Sequence, residues 1–235
     1  MAGLLYAQTA LAAPEYGSLN TLQYIGGYVG YISPVYIYND PPPIGGNPTA
    51  VASGSDRMTN TTLGISNIEA FCVDIFDWLQ SNHQYVYKSA EDYFSSNPTP
   101  PNPAAVEALG RLATNHLAES HASAAASGAF QMAVWEIVNE DVPPNAWNVT
   151  TGDFRAITSN TTATNLANAW LASNATETNS MLVDVYETTG STPRSQSLVT
   201  FTPAPIPDTS APEPASLALL GLGLFMLGWI RRRNA

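Results

Sequence analysis

A lone thiol and a misplaced carboxamide are the residues whose types invite chemistry. Cys72 is the only cysteine in 235 residues, so it has no intramolecular disulfide partner. In an exported protein an odd cysteine suggests an intermolecular bond or a reactive thiol, and an inert buried thiol is the ordinary alternative. Gln131 lies in the apolar run Phe130-Gln131-Met132-Ala133-Val134-Trp135-Glu136-Ile137-Val138. On a helix, Gln131, Trp135 and Val138 share one face beside Phe130, Val134 and Ile137, which pushes the carboxamide toward the apolar side. A buried amide without partners costs about 1–3 kcal/mol. It is therefore expected to be hydrogen-bonded or chemically consumed.

Other chemistries find less support. Asp74 and the acidic body raise the thiol pKa and disfavour a free thiolate, which argues against a cysteine hydrolase. The sequence around Cys72 also lacks the local signatures of papain-like or caspase-like nucleophiles. His116 and His121 then read as polar members of a helix and its trailing loop. Three dispersed histidines give no zinc-ligand spacing, so no catalytic residue, metal or cofactor is assigned.

Phe71-Cys72-Val73 on a strand and the later Gln131-Met132-Ala133-Val134-Trp135 on a helix resemble the motifs of the thioester domains of bacterial surface adhesins. The resemblance implies an internal thioester between the Cys72 sulfur and the Gln131 carbonyl, formed with loss of ammonia. That bond would capture nucleophiles, typically amines, on a partner surface. Phe71, Asp74, Ala133 and Trp135 are the expected supporting residues, with Phe71, Phe76 and Trp135 keeping water away. A thioester needs no cofactor, and pressing sulfur onto the carboxamide carbon supplies a large effective molarity. Such a protein should limit its own amines, and Lys88 is the only lysine.

Several elements must position these residues. Leu22 to Tyr38, rich in Tyr and β-branched residues and interrupted by Gly26, Gly27 and Gly30, reads as a bent hairpin or two short strands. Asn39 to Ser55 reads as a loop. Glu69 to Leu79 alternates like a strand, with Asp74 on the Cys72 face, and Gln84 to Lys88 is a shorter one. Asn102-Pro103 is a helix start, followed by the stripe Val106, Leu109, Ala113 and Leu117. The Gln131 helix is stopped by Pro143-Pro144, and a third helix is expected over Thr164 to Ala172. Met181 to Tyr186 and Leu198 to Thr202 alternate like closing strands. The expected fold class is α+β: a β-sheet or sandwich body with a helical insertion.

Only 11% of residues are charged, with 8 basic against 19 acidic, a balance more typical of a secreted or surface protein than of a cytosolic one. Three of the basic residues are Arg231, Arg232 and Arg233. Ala13 to Ala211 carries the other five against eighteen acidic residues, a body that repels phosphate backbones, so nucleic acid is excluded as a partner. Asn-x-Thr triplets at Asn60, Asn148, Asn160 and Asn174 are expected by chance in so Asn/Thr-rich a chain.

Residues 1–13, apolar and ending in Ala10-Leu11-Ala12, read as a truncated signal peptide. The body covers 14–202 and a Pro-rich linker 203–214. The uncharged run 215–230 would cover about 24 Å as a helix, enough to span a bilayer if Trp229 and the arginines sit at the interfaces. The basic residues place 231–235 in the cytoplasm. Pro212-Glu213-Pro214, a Leu/Gly-rich span and the arginine cluster resemble the PEP-CTERM sorting signal. That resemblance implies export in a Gram-negative, exopolysaccharide-making bacterium. It also implies transient inner-membrane anchoring, cutting by the membrane peptidase exosortase, and release to the cell surface or matrix.

The leading expectation is a single-use covalent surface or matrix protein rather than an enzyme, with cell-surface or exopolysaccharide material as its partner. The alternative is a non-covalent structural or polysaccharide-binding module in which Cys72 and Gln131 are core residues.

Overall fold

In the computed structural model, residues 13–96, 102–140, 146–190 and 192–205 are described. The chain divides into units 1–203 and 204–235. Nearly all of the second, including the span 215–230 and the basic tail, lies outside the described residues, as do residues 1–12 of the segment expected to be a signal peptide. No helix among the described residues is long and apolar enough to cross a membrane.

In chain order the elements are β1 (Leu19–Gly27), β2 (Ile32–Tyr38), β3 (Thr49–Ser53), β4 (Asp56–Asn60), β5 (Ile65–Cys72), β6 (His83–Ser89), α1 (Ala90–Ser96), α2 (Ala104–Ser120), α3 (Ala124–Asn139), β7 (Arg155–Ile157), α4 (Thr161–Asn174), β8 (Met181–Thr188) and β9 (Leu198–Pro203). Six strands close a barrel in the order β1-β4-β5-β9-β8-β6, and a small separate sheet runs β3-β2-β7. The body is thus mixed α and β, as expected, but it is built on a barrel rather than a sandwich. Closure comes from β9, which pairs with β5 on one side and β8 on the other.

Of the two readings for Leu22 to Tyr38, the structure has two short strands rather than a hairpin. β1 pairs with β4 and β6, whereas β2 pairs with β3 and β7. A bulge between Tyr24 and Gly26, where Gly26 has φ 123°, helps turn the chain from one sheet toward the other. β3 lies inside the segment expected to be a loop, its ladder supplied by β2. The helices follow the sequence more closely. Ser123 caps α3 by accepting from the Ala126 N–H, and Asn160 caps α4 by accepting from the Ala163 N–H. Asn102 does not cap α2; its side chain donates instead to the Ile137 carbonyl at the end of α3 (3.1 Å).

α3 is the central element. Every residue from Ala126 to Val138 is buried, as in a helix enclosed on all sides, with Ser127, Gln131 and Glu136 as its buried polar members. Phe130 packs against Phe71 of β5, Phe201 of β9 and Trp170 of α4, with ring centroids 4.6, 5.8 and 6.3 Å away. Its first turns lie close on the β3–β4 turn: Ser53 Oγ donates to the Gly128 carbonyl, and the Ser55 N–H donates to Ser127 Oγ, both at 2.9 Å. A Cβ at Gly128 would meet Ile32 side-chain carbons at 2.5 and 2.7 Å and the Ser53 carbonyl at 3.1 Å. Gly128→Ala is therefore expected to destabilise by about 1–3 kcal/mol through overpacking, outweighing the helix-propensity gain of up to about 1 kcal/mol. Urea midpoints of the two proteins check this.

Candidate functional site

Cys72 is the last residue of β5. The strand was expected to run on to Leu79, but the alternation stops there because Phe71, Cys72 and Val73 are all buried. Phe71 and Cys72 point to opposite faces, and both faces are covered. Beyond Cys72 the Val73 N–H donates to the Ser197 carbonyl (3.0 Å) and the chain leaves the barrel.

The local ladder explains why a helix residue reaches this point. β4 begins at Asp56, opposite Ala70, so β4 has no residue to set opposite Cys72. The Gln131 side chain takes that place. Its Oε1 accepts the Cys72 N–H at 2.9 Å and its Nε2 donates to the Cys72 carbonyl at 2.8 Å, across 59 residues of chain. The carboxamide expected to need partners thus has two, and both belong to Cys72. Gln131 is only 1% exposed, so these bonds are not shared with bulk water.

The sulfur has its own neighbours. The thiol donates to Gln196 Oε1 at 2.8 Å, with Asp56 Oδ2 at 3.5 Å. Gln196 is held in turn by its Nε2, which donates to the Asp74 carbonyl (3.1 Å). Tyr31 donates to Asp56 Oδ1 at 2.6 Å, and the hydroxyls of Tyr24 and Tyr31 are 3.0 Å apart. Burial, reinforced by the charges of Asp56 and Asp74, pushes the Cys72 thiol well above its ordinary pKa. Burial also raises Asp56 to about 6, against the lowering effect of its bonds to Tyr31 and Cys72.

A cavity of about 280 Å³ opens onto the pair, lined by Tyr24, Tyr31, Asp56, Trp78, Trp135 and Gln196 as well as Cys72 and Gln131. Trp78 is half exposed, whereas Trp135 is buried and its indole N–H meets no acceptor among the described residues. The arrangement holds the carboxamide oxygen of Gln131 on the backbone N–H of a residue that also bears a thiol. It resembles a small oxyanion site in which donor and nucleophile share one residue.

The other expected site residues divide. Phe71 and Ala133 are fully buried, Phe71 in the aromatic core, and Trp135 lines the cavity. Asp74 does not share a strand face with Cys72, since it lies beyond the strand end. Its Oδ2 accepts the Ser197 N–H at 2.6 Å, and burial raises it to about 6. Phe76 is 37% exposed and lines a different depression with Asp74 and Tyr93, so it does not shield Cys72. His116 lies between Glu119 and Glu177 and stacks on Trp170, and His121 pairs with Glu69. Asp56, Gln196, Tyr24 and Tyr31 were not singled out from the sequence. Gln196 comes to the thiol because it lies two residues before Leu198, which pairs with Cys72.

The sorting residues Pro212, Glu213, Pro214, Arg231, Arg232 and Arg233 lie outside the described residues, and comparison with known families bears on them directly. Residues 210–234 match the PEP-CTERM protein-sorting motif. No curated protein matches the sequence. Among solved structures, the chain is similar to the thioester domain of the Staphylococcus aureus TIE protein, at 12% identity and a TM-score of 0.44, over 83% of this chain and 80% of that one.

Proposed function

We propose that this is an exported surface or matrix protein, sorted through its PEP-CTERM motif and cut by exosortase after transient inner-membrane anchoring. In this reading Cys72 and Gln131 join in an internal thioester that captures a nucleophile on cell-surface or exopolysaccharide matrix material. The observation that carries it is the double hydrogen bond between the Gln131 carboxamide and the backbone of Cys72. It orients the amide oxygen on a donor that strengthens as charge develops on that oxygen, and it brings the carbon beside the residue that bears the sulfur.

Sulfur adds to the Gln131 carbonyl carbon, the C–N bond breaks, and the thiol proton leaves with the nitrogen as ammonia. An incoming amine then forms a C–N bond, the C–S bond breaks, and the amine proton goes to sulfur. The nitrogen that departs is also the donor to the Cys72 carbonyl. Loss of ammonia strips that carbonyl of its partner, and a captured primary amine brings an N–H back to it.

The intact mass of the purified body is expected to be one ammonia lower than the sequence requires. Methylamine should label Gln131 and free Cys72 for alkylation, and Cys72→Ala should show the unaltered mass. An unaltered wild-type mass with a freely alkylatable Cys72 would defeat the proposal. It would favour a second reading, a non-covalent binding or structural module. That reading draws on the thiol's bond to Gln196 rather than to Gln131, and on a Gln131 carboxamide whose oxygen and nitrogen are both already bonded.

A further inference from the structure

We propose that Asp56 is the proton carrier of the Cys72–Gln131 centre and that Tyr31 is the positioning residue that fixes its carboxyl group. This rests on the thioester reading and deepens it.

Asp56 is 5% exposed and forms no ion pair among the described residues. A buried carboxyl group without a cation is costly; here the Tyr31 hydroxyl donates to one oxygen at 2.6 Å and the Cys72 sulfur lies 3.5 Å from the other, although the thiol's shorter bond is to Gln196. It lines the cavity by which a nucleophile would reach Gln131. One carboxyl group therefore touches both the reacting sulfur and the space from which the amine arrives.

The titratable groups shown against it come from its neighbouring elements: Tyr31 from the β1–β2 connection with Tyr24 of β1 beside it, Cys72 from β5 and Tyr85 from β6. These are phenols and a thiol, none of them cationic, and Arg57 is its neighbour along the chain. With no cation against it and its side chain buried, the group titrates near 6, close to the pH at which a proton shuttle is most effective.

During capture the amine nitrogen must lose one proton and the sulfur must gain one. The Asp56 carboxylate accepts the proton as the new C–N bond forms and hands it to Sγ as the C–S bond breaks, ending in its starting state. During thioester formation the same group takes the thiol proton as sulfur attacks and releases it to the departing ammonia. Tyr31, donating to the other carboxyl oxygen, holds the sulfur-facing oxygen in place.

Asp56→Asn preserves the shape and the bond from Tyr31. In the full-length protein it is expected to slow methylamine capture, followed by intact mass over time, by about 10²- to 10⁴-fold. Asp56→Glu should recover part of the rate, and Tyr31→Phe should slow capture less than Asp56→Asn. A second measurement needs no variant: hydrolysis of the wild-type thioester should rise through an inflection at or above pH 6, since the thiol bond that lowers the Asp56 carboxyl is absent once the thioester has formed, and then level. A folded Asp56→Asn protein that never loses ammonia, with loss restored in Asp56→Glu, supports the same role. Capture by Asp56→Asn at the wild-type rate, or a wild-type hydrolysis profile with no inflection between pH 5 and 7.5, overturns the Asp56 assignment and leaves the thioester standing. A wild-type protein that retains its full mass overturns the thioester reading itself.

Discussion

Alanine at position 131 is expected to abolish both ammonia loss and amine labelling and also to destabilise the fold, whereas alanine at position 72 should abolish the chemistry almost alone. The difference follows from which atoms each residue contributes. Gln131→Ala leaves the Cys72 N–H and carbonyl without their partners at 2.9 and 2.8 Å, and each buried unsatisfied group costs about 1–3 kcal/mol. Cys72→Ala removes only the sulfur, so both backbone bonds persist and the loss is that of a small buried side chain, on the order of 1 kcal/mol. Intact mass together with urea midpoints separates the two effects. Equal midpoints for the two variants would show that the Gln131 bonds contribute nothing to stability. Gln131→Glu is a useful third case: it retains an oxygen for the Cys72 N–H but sets a second one against the Cys72 carbonyl and has no ammonia to lose.

Raising the pH from 5 to 8.5 is expected to destabilise the domain by a few kcal/mol, most of it traceable to Glu136. This side chain on α3 is fully buried; its Oε1 accepts the Asn148 N–H at 2.7 Å, and its Oε2 meets no partner among the described residues. Burial raises its pKa to about 8, helped by Glu140 and partly offset by the Asn148 bond. The native state therefore holds the proton more tightly than the unfolded chain. The resulting stabilisation is complete below the ordinary carboxyl value of 4.5 and is lost as pH rises through about 8. At about 1.4 kcal/mol per pKa unit, the full loss is on the order of a few kcal/mol. Asp56 and Asp74, both raised to about 6, act with the same sign at lower pH. Glu136→Gln keeps an oxygen for the Asn148 N–H and should flatten most of the slope above pH 6. A urea-midpoint series from pH 5 to 8.5 checks it, and a slope unchanged in Glu136→Gln would assign the effect elsewhere.

What the sequence made legible depended on periodicity and on incongruity. α3 was readable from its apolar run and the Pro143-Pro144 stop beyond it, and Gln131 stood out because a carboxamide has no place there without a partner. β8 and β9 were readable by alternation. Barrel closure was not, because alternation names strands without naming their neighbours. β3 was concealed by the Pro, Gly and Asn around it, and β7, at three residues, is too short to carry a period. Asp56 and Gln196 stand in polar surroundings where an acid or an amide is unremarkable, and only the register that sets β4 and β9 on either side of β5 brings them to the sulfur. Asp74 and Phe76 were misplaced for the converse reason: the pattern persisted beyond Cys72 although the strand had ended.

The substitution of a glutamine side chain for the missing strand residue opposite Cys72 ties a helix into the hydrogen-bonded wall of the barrel. The Cys72 amide can then exchange its hydrogen with solvent only when α3 lifts away, so it should rank among the slowest-exchanging amides of the chain, at the rate of global opening. Helical layer and barrel should accordingly melt as one cooperative unit.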